Sequence, residues 1–440
     1  MPRDPEQFLI SLANLPRREY MERGQDRAKY LVRMRRLLSL LDHPEQHIPH
    51  TIHVAGTSGK GSVCTFLHAV LKAGGKKTGL MISPHPSIMR ERWQVNERIM
   101  GVRELSYIIK TMKKTLNTYL SLYGGDPPSL FDIQTAIGFL YFAQNHVEWA
   151  VIEVGLGGRF DSTNVIAKKD IAVITSIGLD HTEILGNTKT AIAKEKTGII
   201  TRGCDVFTLE KNPKVLRVIE QHCRKKSAPL HQIRDHELRI KTQGIDGVDF
   251  EYKEQPYSIA AIGKHQTTNA ALVIDIAHAL QLPESAIKQG LAQAVQPIRM
   301  EVVSKRPFII IDGAHNPDKM KTTIETVQEI KKTKKQHIHV IVGFSADKDT
   351  RSMVRQLALL NPASIACTRN TMNPFRKVAS PGAIATQFRK LLPRADISIH
   401  IDPLDALADT IKKMKNHDIL LVTGSIFLSG ELRPHLTQTT

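Results

Sequence analysis

The feature that most constrains this chain is an alternation: short runs rich in valine and isoleucine are separated by stretches with the spacing of one-sided helices. "TIHVA" (51–55), "KTGLMIS" (77–83), "WAVIEVG" (149–155), "DIAVITSIG" (170–178) and "CDVFTL" (204–209) read as strands buried on both faces, as parallel sheets require. A second series comprises "RPFIIIDGAHNP" (306–317), "HIHVIVGF" (337–344), "ASIACT" (363–368) and "HDILLVTGS" (417–425). It follows a proline-bearing linker, "QPIRM" (296–300). In the first of these, Asn316 is placed to cap a helix that begins at Pro317. Alternation of this kind predicts α/β architecture, and 440 residues exceed what one core holds. The expected division is a doubly wound N-terminal domain over 1–297 and a smaller Rossmann-like α/β domain over 298–440.

Ligands of such sheets sit beyond the carboxyl ends of the strands. The first strand runs into "HVAGTSGKGSVCTFL" (53–67), whose Val63, Phe66, Leu67, Val70 and Leu71 keep a helical period until Gly74-Gly75 stops it. The common phosphate loop places four residues between its first glycine and a Gly-Lys pair. Here only Thr57 and Ser58 separate Gly56 from Gly59-Lys60, and Gly61 stands between Lys60 and Ser62. A reversing turn needs the glycines but not a lysine and hydroxyls as well. Backbone amides at a helix N-terminus with a lysine beside them make an anion site, and a phosphate group is the expected occupant.

Composition excludes several classes. The net charge of +18 invites a nucleic-acid reading, but aromatics are 5% and none interleave with basic runs such as "RMRR" (33–36) or "KKTKK" (331–335). Those runs read as solvated faces that attract small anions, and no nucleic-acid partner is expected. No apolar stretch approaches a membrane span, and the N-terminus lacks a basic start followed by an apolar run. Cys64, Cys204, Cys223 and Cys367 are scattered without a metal-binding pair. A cytoplasmic monomer without a membrane partner is the expectation.

Eight segments occur in order: "GTSGKGS", "SPH", "EVGLGGRFDSTN", "TSIGLDHTEILG", "AIAKEKTGII", "GKHQTTNA", "IDGAHNP" and "TGSIFLSGELR". In this order they resemble the Mur ligase superfamily, and most closely the folylpolyglutamate synthase and bifunctional dihydrofolate synthase/folylpolyglutamate synthase family. The resemblance runs from about residue 20 to about 433. It implies a ligase that uses ATP and Mg²⁺ to convert a carboxylate to an acyl phosphate, which the amine of L-glutamate then attacks. The acceptor would be a reduced folate, with 7,8-dihydropteroate as a further candidate.

The same resemblance assigns roles. Gly59, Lys60, Gly61 and Ser62 would cradle the phosphates. Ser83, Glu153 and His181 match magnesium positions, and a carboxylate closing the apolar strand "WAVIE" is costly without a cation or partner. Taken singly, His181 reads as a structural histidine and Ser83 as a cap. Lys196 matches a lysine carbamylated by CO₂ (N6-carboxylysine); without the resemblance it reads as an exposed helix lysine. Asn269, Arg299, Asp312 and His315 match further nucleotide contacts, the last three brought over the loop by domain closure. Phe131 and Asp132 in "LFDIQT", with Phe160, Asp161 and Ser162 in "FDST", match segments that hold the pterin.

The chain departs from the family at Ser58, where Asn is usual, at Asp132, where Glu is usual, and at Ile298, where Gly precedes the arginine. Asp132 would fall one methylene short of a pterin, which predicts that dihydropteroate is the weaker acceptor and that Asp132→Glu improves it. Ile298 would restrict a hinge that glycine leaves free. Two alternatives stay open on sequence alone: the same chemistry on another carboxylate, such as a cell-wall precursor, and a basic ATPase that regulates a nucleic-acid or protein partner.

Overall fold

Five central strands of an eight-stranded sheet carry the first unit. In a computed structural model, which describes residues 4–12, 27–233, 235–331, 336–372 and 377–437, this sheet has the order β4-β3-β2-β5-β1-β6-β7-β8. Its strands are β1 His50–Ala55, β2 Thr78–Met81, β3 Trp93–Val95, β4 Arg98–Ile99, β5 Trp149–Glu153, β6 Ile171–Ile174, β7 Asp205–Thr208 and β8 Leu230–Gln232. β2, β5, β1, β6, β7 and β8 run parallel, whereas β3 and β4 add antiparallel at one edge. Five of these six parallel strands, all but β8, are the Val/Ile runs read from the sequence, and Ile52, Val54, Ala150, Val151, Ile152, Ala172, Val173 and Ile174 are fully buried. β1 leads through the glycine loop into the helix Lys60–Ala73, whose Val63, Phe66, Leu67, Val70 and Leu71 are buried as their spacing predicts. Gly74 terminates it. The helix Glu284–Gln293 lies against it at Gly290, where a Cβ would come within 2.5 Å of Val70 Cα.

The second unit contains a six-stranded sheet of order β12-β13-β17-β14-β15-β16. Its strands are β12 Glu301–Lys305, β13 Phe308–Ile311, β14 Ile338–Val342, β15 Ser364–Cys367, β16 Asp396–Ile399 and β17 Ile419–Thr423. All pair in parallel except β12 with β13. Asn316 caps the helix Pro317–Ile330 with Pro317 in its first turn, its side chain accepting from Lys319 N–H at 2.9 Å.

The division between units is not a single cut near 297. Unit one comprises 1–84, 89–238 and 268–293; unit two comprises 85–88, 239–267 and 294–440. The segment 239–267 includes an antiparallel meander, β9 Leu238–Gly244, β10 Gly247–Tyr252 and β11 Gln255–Ile259, absent from the expected elements. It belongs with the second unit because Ile262 is buried in one core with Met300, Phe308, Met320 and Phe344. Among the described residues no helix is long and apolar enough to cross a membrane, and all four cysteines are buried. The run "KKTKK" lies, from residue 332 on, outside the described residues.

Candidate active site

Four neighbouring parallel strands, β2, β5, β1 and β6, deliver the candidate residues to one edge of the sheet. After β1, Gly56 adopts φ +153° against Thr175, the residue following β6; a Cβ on Gly56 would lie 1.7 Å from Thr175 Oγ1. Thr175 Oγ1 donates to Ser58 O (2.7 Å), Thr57 N–H donates to Ser176 O (2.8 Å), and Thr57 Oγ1 donates to Gly178 O (3.2 Å). The loop is thereby fixed to the segment that carries His181. Gly59 takes φ +86° at the N-terminus of the helix, and a Cβ there would come within 2.7 Å of Asn269 Oδ1. Glycine is required at both positions, and Asn269, buried, sits against the loop as expected.

Lys60 Nζ donates to Gly56 O at 3.1 Å. Lys196 Nζ donates to the same oxygen at 2.8 Å, and the residue is only 4% exposed. This overturns the exposed-lysine alternative. In the helix Lys189–Lys196 the buried residues are Ile192, Ala193 and Lys196, one face at helical spacing.

At the end of β5, Glu153 is buried, and Ser83 N–H donates to its Oε2 at 3.0 Å, its only hydrogen bond among the described residues. The carboxylate and Ser83 line a small, partly open cavity with Arg92, Trp93, Phe131, Gln134 and Thr135. The Arg92 guanidinium acts on this carboxylate electrostatically, and a carboxylate with so few hydrogen-bond donors also suits a hard cation. His181 stands in left-handed conformation at the start of the short helix Thr182–Leu185, its ring 3.9 Å from Asp180 and 3.8 Å from Glu183. β6 lies two strands from β5, about 10 Å at sheet spacing. Among the described residues no three of His, Cys, Asp and Glu converge as a ready-made metal centre. Ser83 and Glu153 therefore meet directly, through the Ser83 backbone amide.

Phe131 faces the same cavity and packs on Gly155, where a Cβ would lie 2.4 Å from its ring. Asp132 has a different setting. It is 1% exposed and forms the capping box of the helix Leu130–Gln144 with Ser129. Its Oδ2 accepts from Ser129 N–H (2.7 Å) and from Arg33 Nε (2.8 Å), and its Oδ1 accepts from Ser162 Oγ. The carboxylate is engaged by the protein, which corrects the expectation that it reaches toward a pterin. Arg33, 3% exposed, likewise corrects the solvated reading of "RMRR" at that residue. Asp161 caps the turn Ser162–Val165 and accepts from Leu156 N–H (2.8 Å) and Thr163 N–H (3.0 Å). Burial pushes its pKa up. Phe160 is half-buried beside the Arg159 guanidinium.

In the second unit, Asp312 at the end of β13 accepts from Met300 N–H (3.0 Å), Ala314 N–H (3.0 Å) and Thr323 Oγ1 (2.6 Å), and burial raises its pKa. Arg299 donates to Pro297 O at 3.2 Å. His315 Nδ1 donates to Gly313 O at 2.8 Å and its Nε2 lies 3.2 Å from Lys319 Nζ. Ile298 has φ +49°, a conformation that favours glycine. It is held there by Glu301, whose carboxylate accepts from Ile298 N–H (2.9 Å) and, at 2.8–3.0 Å, from the fork of Arg433.

Residues 54–277 match the Mur ligase middle domain, and residues 298–426 match the Mur ligase glutamate ligase domain. The chain is 33% identical over 423 residues to the dihydrofolate synthase/folylpolyglutamate synthase of Bacillus subtilis, which covers 92% of this chain and 94% of that one. The chain belongs to the folylpolyglutamate synthase family of Mur ligases. Its fold is similar to the Mycobacterium tuberculosis folylpolyglutamate synthase complexed with ADP and AMPPCP, with a TM-score of 0.83, 27% identity, and 92% and 95% of the two chains covered. It is also similar to a bifunctional folylpolyglutamate synthase/dihydrofolate synthase with Mn, AMPPNP and L-glutamate bound, with a TM-score of 0.80, 26% identity, and 99% and 98% covered.

For this family member, sequence reasoning missed Arg33, Arg92 and Thr175. Arg33 was legible: with Tyr30, Met34, Leu37 and Leu38 it forms the buried face of the helix Ala28–Ser39. Arg92 and Thr175 carry no spacing signal of their own.

Proposed function

We propose that the chain is an ATP-dependent ligase that adds L-glutamate to reduced folates through an acyl phosphate, with 7,8-dihydropteroate as a second acceptor. One observation supports this most: the buried carboxylate Glu153 and the aromatic Phe131 share a single cavity at the sheet edge that carries the phosphate loop. A flat ring resting on Phe131 would present its attached carboxylate toward Glu153 and Ser83. Those two residues, with His181, would hold a divalent cation, Mg²⁺ in this proposal. When bound, that ion supplies positive charge to the transferring phosphoryl group.

The chain's own groups do the rest. The amides and Lys60 of the loop 56–62 bind the phosphates and offset the charge that builds on them. Asn269 backs the loop at Gly59, and in the second unit Arg299, Asp312 and His315 remain proposed nucleotide contacts. Lys196 takes up CO₂ in this proposal and presents an anion rather than a second ammonium beside Lys60. Holding both substrates in line accounts for the remaining rate.

The test measures ADP release with tetrahydrofolate, dihydropteroate and a cell-wall precursor, each with and without glutamate. Glutamate-dependent release with tetrahydrofolate is expected. Release only with the cell-wall precursor, or release driven by nucleic acid without any acceptor, would replace the folate proposal. For Lys196, the Lys196→Ala variant should be nearly inactive and partly restored by a short-chain carboxylic acid. Full activity without added acid would refute the carbamate. Light scattering tests the proposed cytoplasmic monomer's oligomeric state.

A further inference from the structure

Lys169 stands outside every role assigned so far. It precedes β6, is 3% exposed, and pairs with no carboxylate among the described residues. Its ammonium donates to Asn164 Oδ1 at 2.6 Å and to Ile199 O at 2.8 Å. The other end of the Asn164 amide is also engaged: Nδ2 donates to Arg159 O at 2.9 Å and to Gly198 O at 3.1 Å. Arg159 N–H donates to Glu195 O at 2.8 Å. Two glycines make the approach of these segments possible. A Cβ on Gly158 would sit 3.0 Å from Lys196 Cα, and one on Gly198 would sit 2.4 Å from Arg159 Cβ. The loop 158–164 is therefore fastened along residues 195–199, and Lys196 lies in the middle of the fastened stretch.

We propose that Lys169 is a positioning residue for Lys196: through Asn164 and Ile199 it fixes the backbone around Lys196, and so fixes where that side chain meets Gly56 of the phosphate loop. A buried cation whose partners are an amide and a carbonyl is costly, and an apolar residue of similar length would fill the space without that penalty. Packing alone does not account for an amine here. Burial and the nearby Lys226 push its pKa down to about 7, a further sign that the charge is held at a cost. The same fastening ties Phe160, Asp161 and Ser162 to the backbone that carries Lys196.

The role builds on the proposed placement of Lys196 near the transferring phosphoryl group, so the experiment uses two independent readouts on the full chain. In Lys169→Met, kcat for glutamate-dependent ADP release should fall by roughly 10- to 100-fold, the cost of a small misplacement, with KM for tetrahydrofolate within about two-fold. Backbone deuterium exchange should quicken in 158–164 and 194–200 and nowhere else in the first unit. Lys169→Arg, which keeps a cationic donor, should recover part of the loss. Should Lys169→Met fail to fold, Asn164→Asp keeps the acceptor for Lys169 but removes both outgoing donors, and the same kcat-selective loss is expected. Unchanged kcat, or exchange that quickens throughout the unit, would overturn the proposal and leave Lys169 a packing residue. If the unsubstituted chain shows no glutamate-dependent ADP release, the functional reading fails by itself. The local or uniform character of the exchange then decides the role of Lys169.

Discussion

Lys60 and Lys196, from separate helices, donate to one and the same oxygen, the carbonyl of Gly56. Their amines are therefore no more than about 6 Å apart. Two ammonium groups at that separation repel by about 3 kcal/mol at an effective dielectric constant near 20. An anion on Lys196 would reverse that sign.

In the proposed reaction, replacing Lys60 by alanine removes a cationic donor to the phosphates. Turnover should fall by about 10²–10³-fold, measured as glutamate-dependent ADP release. Near-normal release in a folded Lys60→Ala protein would remove the loop from the chemistry.

Asp132→Glu should lower stability rather than widen acceptor range. The carboxylate is 1% exposed and already engaged by Arg33, Ser129 and Ser162, so the added methylene has no space. Overpacking of this kind costs about 1–3 kcal/mol. The check is the denaturation midpoint together with kcat/KM for dihydropteroate. A gain in dihydropteroate use without loss of stability would restore the direct contact expected from sequence.

Ile298→Gly sets two effects against each other. Glycine relieves a left-handed residue, worth roughly 1–2 kcal/mol. It also deletes a side chain that is 4% exposed and packed with Ile311, Val422 and Leu428, at a cost of about 2–5 kcal/mol. The packing loss is larger, so the melting temperature should fall. A rise would mean that backbone strain outweighs packing at this turn.

His68 gives a pH dependence. It is buried in the helix that begins at Lys60, and desolvation lowers its pKa from 6.5 to about 4. A depressed value means the unfolded chain binds the proton first as pH falls. The contribution to stability is fully present above 6.5 and is lost as pH falls toward about 4. Melting temperatures of the unsubstituted chain and His68→Gln, followed from pH 8 to 4, should converge on acidification. Parallel curves would show that His68 does not titrate in that window.

What the sequence revealed follows from how each signal is encoded. Glu153 was legible because a carboxylate closing an apolar strand is conspicuous, and the glycine loop because hydroxyls and a lysine exceed what a turn needs. Lys196 and Arg33 were misjudged on side-chain type alone, although helical spacing places Lys196 with Ile192 and Arg33 with Leu37 on buried faces. The meander β9–β11 escaped because β9 is mostly exposed and "LRIKTQG" has little apolar alternation. Apart from Ser129 in the capping box, the hydrogen-bond donors that engage Asp132 lie 99 residues earlier and 30 later, which no local pattern records.

The interleaving of the two units bears on synthesis and dissection of the chain. Residues 239–267 leave the ribosome before 268–293, yet they belong to a core completed only by residues after 294. Ile262, just after the meander, must therefore wait uncovered until Phe308 and Phe344 have been made. A fragment starting at 298 would lack Ile262 and carry a hole in its core from the outset.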